Sequence, residues 1–133
     1  MIAGVVNRDL EATVGVIVRE ENGTDHALDA IIDTGFTGFI TLPSAVVTAL
    51  QLSWIGREEA LLGDGSIQPF EVYSANVIWN GQPRKVEVNV TETFPLLGMS
   101  MILKHDLRIK VIEGGAVTIE ALQGSGEGEA IGP

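Results

Sequence analysis

Asp33 ends the apolar run Ile31-Ile32 and is followed at once by Thr34-Gly35, where the backbone must turn sharply. Far downstream, Pro95-Leu96-Leu97-Gly98-Met99 is a second apolar run that ends in glycine. A carboxylate delivered by a strand to a tight turn is suited to general acid–base chemistry. Hydrolysis of a peptide bond by water needs one carboxylate to deprotonate the water and one carboxylic acid to polarise the carbonyl. Two carboxyls about 3 Å apart cannot both ionise, so they share a proton and their pKa values split. Glycine after the aspartate lets backbone and substrate approach closely, and a threonine hydroxyl can tie the loop to its surroundings. The plainer use of Asp-x-Gly is to cap a turn between two strands.

Asp33-Thr34-Gly35 followed by Leu96-Leu97-Gly98, with a hairpin signal between them, resembles the pattern of the retropepsin-like aspartic proteases over roughly Leu10 to Leu122. The resemblance implies an all-β fold with one or two short helices, a closed acid-protease-like β-barrel with one lobe per chain. It implies Asp33, Thr34 and Gly35 as the catalytic triplet, Gly63-Asp64-Gly65 as the tip of a mobile flap, and Phe36 and Leu97 in the wall of a substrate cleft. Leu61, Leu62, Ile67 and Phe70 are the candidates for the flap's apolar inner face. Phe36 departs from the family's usual small residue after the triplet, and must either turn into the core or narrow the cleft. Only one Asp-Thr-Gly occurs in the chain, so a second aspartate must come from a second copy, on the axis of a homodimer. The implied substrate is a peptide or protein, and no cofactor is needed. The alternative is a retropepsin-like domain of little or no turnover that binds peptides or dimerises.

The 133 residues suit one domain, expected over residues 1–122, with residues 123–133 as a disordered, acidic, glycine-rich tail. Eight Lys and Arg against 18 Asp and Glu give a net charge of −10, which a homodimer doubles to −20. Such a surface argues against nucleic acid and anionic membranes as partners. The absence of cysteine excludes disulfides and thiol catalysis. His26 and His105 are the only histidines and neither stands at metal-ligand spacing, so no metal is implied; His105 is expected beside a helix C-terminus. Met1 to Val6 is too short and too soon followed by Asn7-Arg8-Asp9 for a secretory signal, and no apolar run has the length of a membrane span, so a cytoplasmic protein is expected.

The elements that must position these groups are mostly strands. Leu10 to Val18 and His26 to Ile32 form a hairpin around Asn22-Gly23, the second strand delivering Asp33. Phe39 to Leu42 is a short strand, and Pro43-Ser44 opens a helix to about Leu50 with Val46, Val47 and Leu50 inward. Trp54 to Leu62 and Ile67 to Tyr73 flank Gly63-Asp64-Gly65-Ser66; Val72 to Trp79 and Arg84 to Val90 flank Asn80-Gly81. A short helix is expected near Ser100 to Lys104, then a hairpin of Leu107 to Ile112 and Ala116 to Leu122. The apolar end segments, Met1 to Val6 and Ala116 to Leu122, are expected to interleave with those of a second copy, as the resemblance implies.

Overall fold

A computed structural model describes residues 1–123; the tail expected from residue 124 onward lies outside them. Ten strands form one sheet: β1 (Ile2–Val6), β2 (Ala12–Arg19), β3 (Asp25–Ile32), β4 (Ile40–Leu42), β5 (Ser53–Leu61), β6 (Ile67–Trp79), β7 (Gln82–Val90), β8 (Leu96–Leu97), β9 (His105–Ile109) and β10 (Ala116–Ala121). Among the described residues the single helix is α1 (Ser44–Ala49), which lays Val47 and Leu50 on the core. No helix there is long and apolar enough to cross a membrane.

The sheet closes on itself. Its order runs β6-β7-β4-β8-β3-β2, and β2 pairs back to β6 through Ile17↔Ile78 and Val18↔Val77. β2 can serve two partners on one side because β1 pairs its first half and β6 its second. The inward residues are β-branched or leucine at alternate positions: Val14, Val16 and Val18 on β2, Val77 on β6, Val86 and Val88 on β7. Each such side chain, fully buried, contributes about 1.5–3 kcal/mol of transfer free energy, and together they fix which face is inside. Tight turns join the ladders where the sequence offers positive φ cheaply, at Gly23 (φ 91) and at Asn80-Gly81 (φ 51 and 79).

Four expectations are corrected. Ile67 to Tyr73 and Val72 to Trp79 are one continuous strand, β6, which pairs with β5 along its first half and β7 along its second. Ser100 to Lys104 is a run of turns, not a helix. Arg84 Nη1 takes the Met101 carbonyl at 2.9 Å, the Ser100 amide donates to the Gly38 carbonyl, and Lys104 stands at φ 67, so helical hydrogen bonding cannot propagate. His105 therefore opens β9 instead of ending a helix. Its Nε2 faces Trp79 Nε1 and Asn80 Nδ2, each at 3.2 Å, and its Nδ1 lies 2.9 Å from the Leu103 carbonyl oxygen. Finally, the two end segments pair within one chain. β1 lies between β2 and β10, and β10 between β1 and β9, so both edges of each are occupied without a second copy.

Candidate active site

Asp33 follows the last residue of β3, where that strand runs parallel to β8 with Ile31↔Leu96 and Ile32↔Leu97 in register. The Ile31 and Asp33 amides donate to the Pro95 and Leu97 carbonyls at 2.8 and 2.9 Å, so the two apolar runs noted in the sequence lie side by side. Beyond that ladder the backbone turns. The Phe36 amide donates to the Asp33 carbonyl at 3.1 Å, and the Gly35 amide donates to Asp33 Oδ1 at 2.9 Å. The carboxylate thus fixes its own loop through an Asx turn. Among the described residues no group bonds Asp33 Oδ2 or the hydroxyl of Thr34. Asp33 is half-buried, while Thr34 and Gly35 are exposed.

The loop is clasped to the segment after β8. Gly98, Met99 and Ser100 amides donate to the Phe39, Phe36 and Gly38 carbonyls at 2.9, 2.8 and 3.1 Å, and the Ser100 hydroxyl donates to the Thr37 carbonyl. The approach is close enough that a Cβ on Gly98 would stand 2.2 Å from the Gly38 carbonyl oxygen and 2.6 Å from Phe36 Cδ2. A Cβ on Gly38 would stand 2.5 Å from Phe36 Cζ. The Phe36 ring therefore rests on two glycines, anchoring the loop, and it also lines the adjoining cavity. Of the two alternatives raised by the sequence, the ring does not turn into the core: it is only half-buried, is not packed on the barrel core, and stands at the cavity wall.

That cavity has a volume of about 780 Å³. The Asp33 loop forms one wall with Asp33, Gly35 and Phe36; the β5–β6 hairpin forms another with Ala60, Leu62, Gln68 and Phe70; the end of β7 adds Asn89 and Val90. Leu61 and Ile67 pair across the hairpin on its opposite face, so they are not part of the inner surface expected of them. Gly63, Asp64 and Gly65 sit at the hairpin tip, beyond the lining residues. The tip is ordered by Leu62 N–H to the Ser66 carbonyl at 2.8 Å and by Ser66 N–H to Asp64 Oδ1 at 2.9 Å, with Gly65 at φ 86. The Ser66 hydroxyl, then its amide, hold the Asp64 carboxyl below the usual carboxylate range. Leu97 is corrected: it is wholly buried in the barrel core and does not line the cavity, whereas its neighbour Leu96 does. In a strand, successive side chains take opposite faces, so one of the two must turn inward.

Several lining residues carried no signal in the sequence. Thr41, 3% exposed, accepts the Leu96 amide on its hydroxyl at 2.9 Å and so fixes β8 from the far side; a threonine inside an apolar strand was the available hint. Arg57 Nε and Nη2 donate to Glu71 Oε1 at 3.0 and 2.8 Å, and Trp54 Nε1 donates to Oε2 at 2.7 Å. The Trp54 bond first, then Arg57, lower the Glu71 pKa. Glu92 is taken up by the Ser44 amide and hydroxyl at the start of α1, where Pro43 offers no side-chain cap. Asp33 is thus the one carboxylate lining the cavity that is bound only within its own loop. No three His, Asp or Glu side chains gather as a metal-ligating group among the described residues.

The closed barrel, the aspartate turn beside the β8 strand and the overlying hairpin together define a retropepsin-like fold. Among solved structures, the chain is similar to a retropepsin-like aspartic protease from Rickettsia conorii, with TM-score 0.61 and 18% identity over 90% of this chain and 89% of that one. No family model and no curated protein matches the sequence.

Proposed function

We propose that the chain is one half of a homodimeric aspartic endopeptidase. The observation that carries this reading is Asp33 itself, pinned on a two-loop clasp at the wall of a largely apolar cavity, with a hairpin opposite it. Asp33 from each copy, sharing one proton, activates a water for attack on the peptide carbonyl and returns a proton to the leaving amine. Thr34 and Gly35 hold the geometry of the pair. The remaining carboxylates of the cavity, Glu71 and Glu92, are engaged by Trp54 and Arg57 and by Ser44, so neither is available as the second acid. An extended peptide lies between Phe36 and the hairpin residues Leu62 and Phe70, which favours hydrophobic side chains beside the scissile bond. The chemistry calls for no cofactor.

A second reading, a peptide-binding domain without turnover, is favoured by one observation: the Phe36 ring occupies part of the cavity wall beside Asp33. Incubating an unfolded protein with the purified chain at acidic and neutral pH, followed by mass spectrometry, separates the two. The endopeptidase reading expects new peptides from the native chain and none from Asp33→Asn. Retained binding without cleavage in both proteins selects the second reading.

A further inference from the structure

Resting on the endopeptidase reading, we propose that Asn89 forms a polar subsite on the cavity floor. It selects a carboxamide side chain, Asn or Gln, at one substrate position removed from the scissile bond. Register places it. On β7 the alternate residues Val86 and Val88 are buried in the core, so Lys85, Glu87 and Asn89 face outward. Lys85 and Glu87 are exposed, whereas Asn89 is half-buried where the β5–β6 hairpin walls the cavity. Asn89 stands opposite Thr41 of β4 and Val72 of β6, and the Thr41 hydroxyl holds the Leu96 amide of β8 at 2.9 Å. Leu96, Thr41 and Asn89 therefore form a row across the floor, closed at its far end by the buried Val72.

The row changes character along its length. Leu96 is apolar, and the Thr41 hydroxyl is already engaged and almost fully buried. Asn89 ends the row with a side-chain amide that no group among the described residues bonds. Water serves that amide while the cavity is open. A peptide laid over the floor removes the water, and the amide must then find a partner. In an extended peptide the side chains alternate toward floor and hairpin, so a side chain is what reaches Asn89. A carboxamide presents a donor and an acceptor together, and a second carboxamide answers both. Charge points the same way. Arg57 is the one cation lining the cavity among the described residues, and its Nε and Nη2 are given to Glu71, so an acidic side chain finds no free counter-ion. Glu92 is held by Ser44 and stands exposed, where a basic side chain gains little. Asn89 lies two strands from Leu96, roughly 10 Å at the usual strand spacing, which is about three residues of extended peptide. Apolar side chains therefore sit beside the scissile bond, against Phe36 and Leu96, and the carboxamide sits farther along.

Cleavage of a randomised peptide library by the native chain and by Asn89→Leu, a change close in size that removes the amide, tests this. The native chain should enrich Asn and Gln at one fixed position away from the cleaved bond. Asn89→Leu should lose that preference about tenfold or more and favour aliphatic side chains there. The profile compares peptides within one protein, so a loss of stability does not imitate the result. A profile unchanged by Asn89→Leu, or a native preference for Lys and Arg at that position, overturns the proposal. Capture of the same library by Asp33→Asn, with and without Asn89→Leu, keeps the two readings apart. Capture of carboxamide peptides that depends on Asn89, with no cleavage by the native chain, leaves the subsite standing and removes the endopeptidase. Cleavage indifferent to Asn89 does the reverse, and neither capture nor cleavage overturns both.

Discussion

A methyl group added at Gly98 meets the Gly38 carbonyl oxygen at 2.2 Å and the Phe36 ring at 2.6 Å, so one absent atom sets how closely the two loops of the site approach. Gly98→Ala should lower stability by about 1–3 kcal/mol in denaturant titration, the usual cost of overpacking. Gly56→Ala, whose Cβ meets nothing, is the control expected to stay within about 0.5 kcal/mol. Phe36→Ala should cost less than the about 3–5 kcal/mol of a core phenylalanine, because the ring is only half-buried, and should speed cleavage beside bulky side chains by widening the cavity. Asp33 and Gly98 were legible in the sequence because each ends an apolar run where the chain must turn. Which of Leu96 and Leu97 faces the cavity was not legible. That depends on the register of a two-residue strand between distant neighbours β3 and β4, and no local pattern records it.

The β5–β6 hairpin is the element whose behaviour should change with pH. Asp64 at its tip and Glu71 on its shank both titrate below their ordinary range, through Ser66 and through Trp54 with Arg57. A depressed native pKa means that the ordering is fully present above the ordinary carboxylate range, about pH 4, and is lost as pH falls through the lowered native values. Asp64 is exposed and Glu71 only half-buried, so the effect is local, not global. Asp64→Ala should speed exchange of the Ser66 amide at neutral pH in hydrogen-exchange measurements, and acid should abolish the difference from the native chain. An unchanged Ser66 rate would deny that the carboxylate orders the tip. The hairpin itself was legible from Gly63-Asp64-Gly65 between two β-rich runs. The turns at Ser100 to Lys104 were not, because carbonyls there are claimed by Arg84 and amides by Gly38, partners 16 and more residues away.

For the whole molecule, the closed ring of strands leaves β10 inside the fold, with Val117 and Ile119 wholly buried between β1 and β9. Ile119→Ala should therefore cost about 2–5 kcal/mol, and deletion from Ala116 onward should unfold the chain instead of yielding folded monomers. Barrel closure through β2 and β6 was legible only as a class, from short strands and glycine turns; the pairing of the end strands within one chain is a long-range choice that composition cannot express. The central claim is that two copies each contribute one Asp33 to a single site. Native and Asp33→Asn chains co-refolded in varied proportions, with cleavage rate measured at constant total protein, test it most directly. The rate should fall as the square of the native fraction, because one native and one altered chain make a dead pair. A rate falling in simple proportion to the native fraction would contradict it, since each chain would then cleave alone.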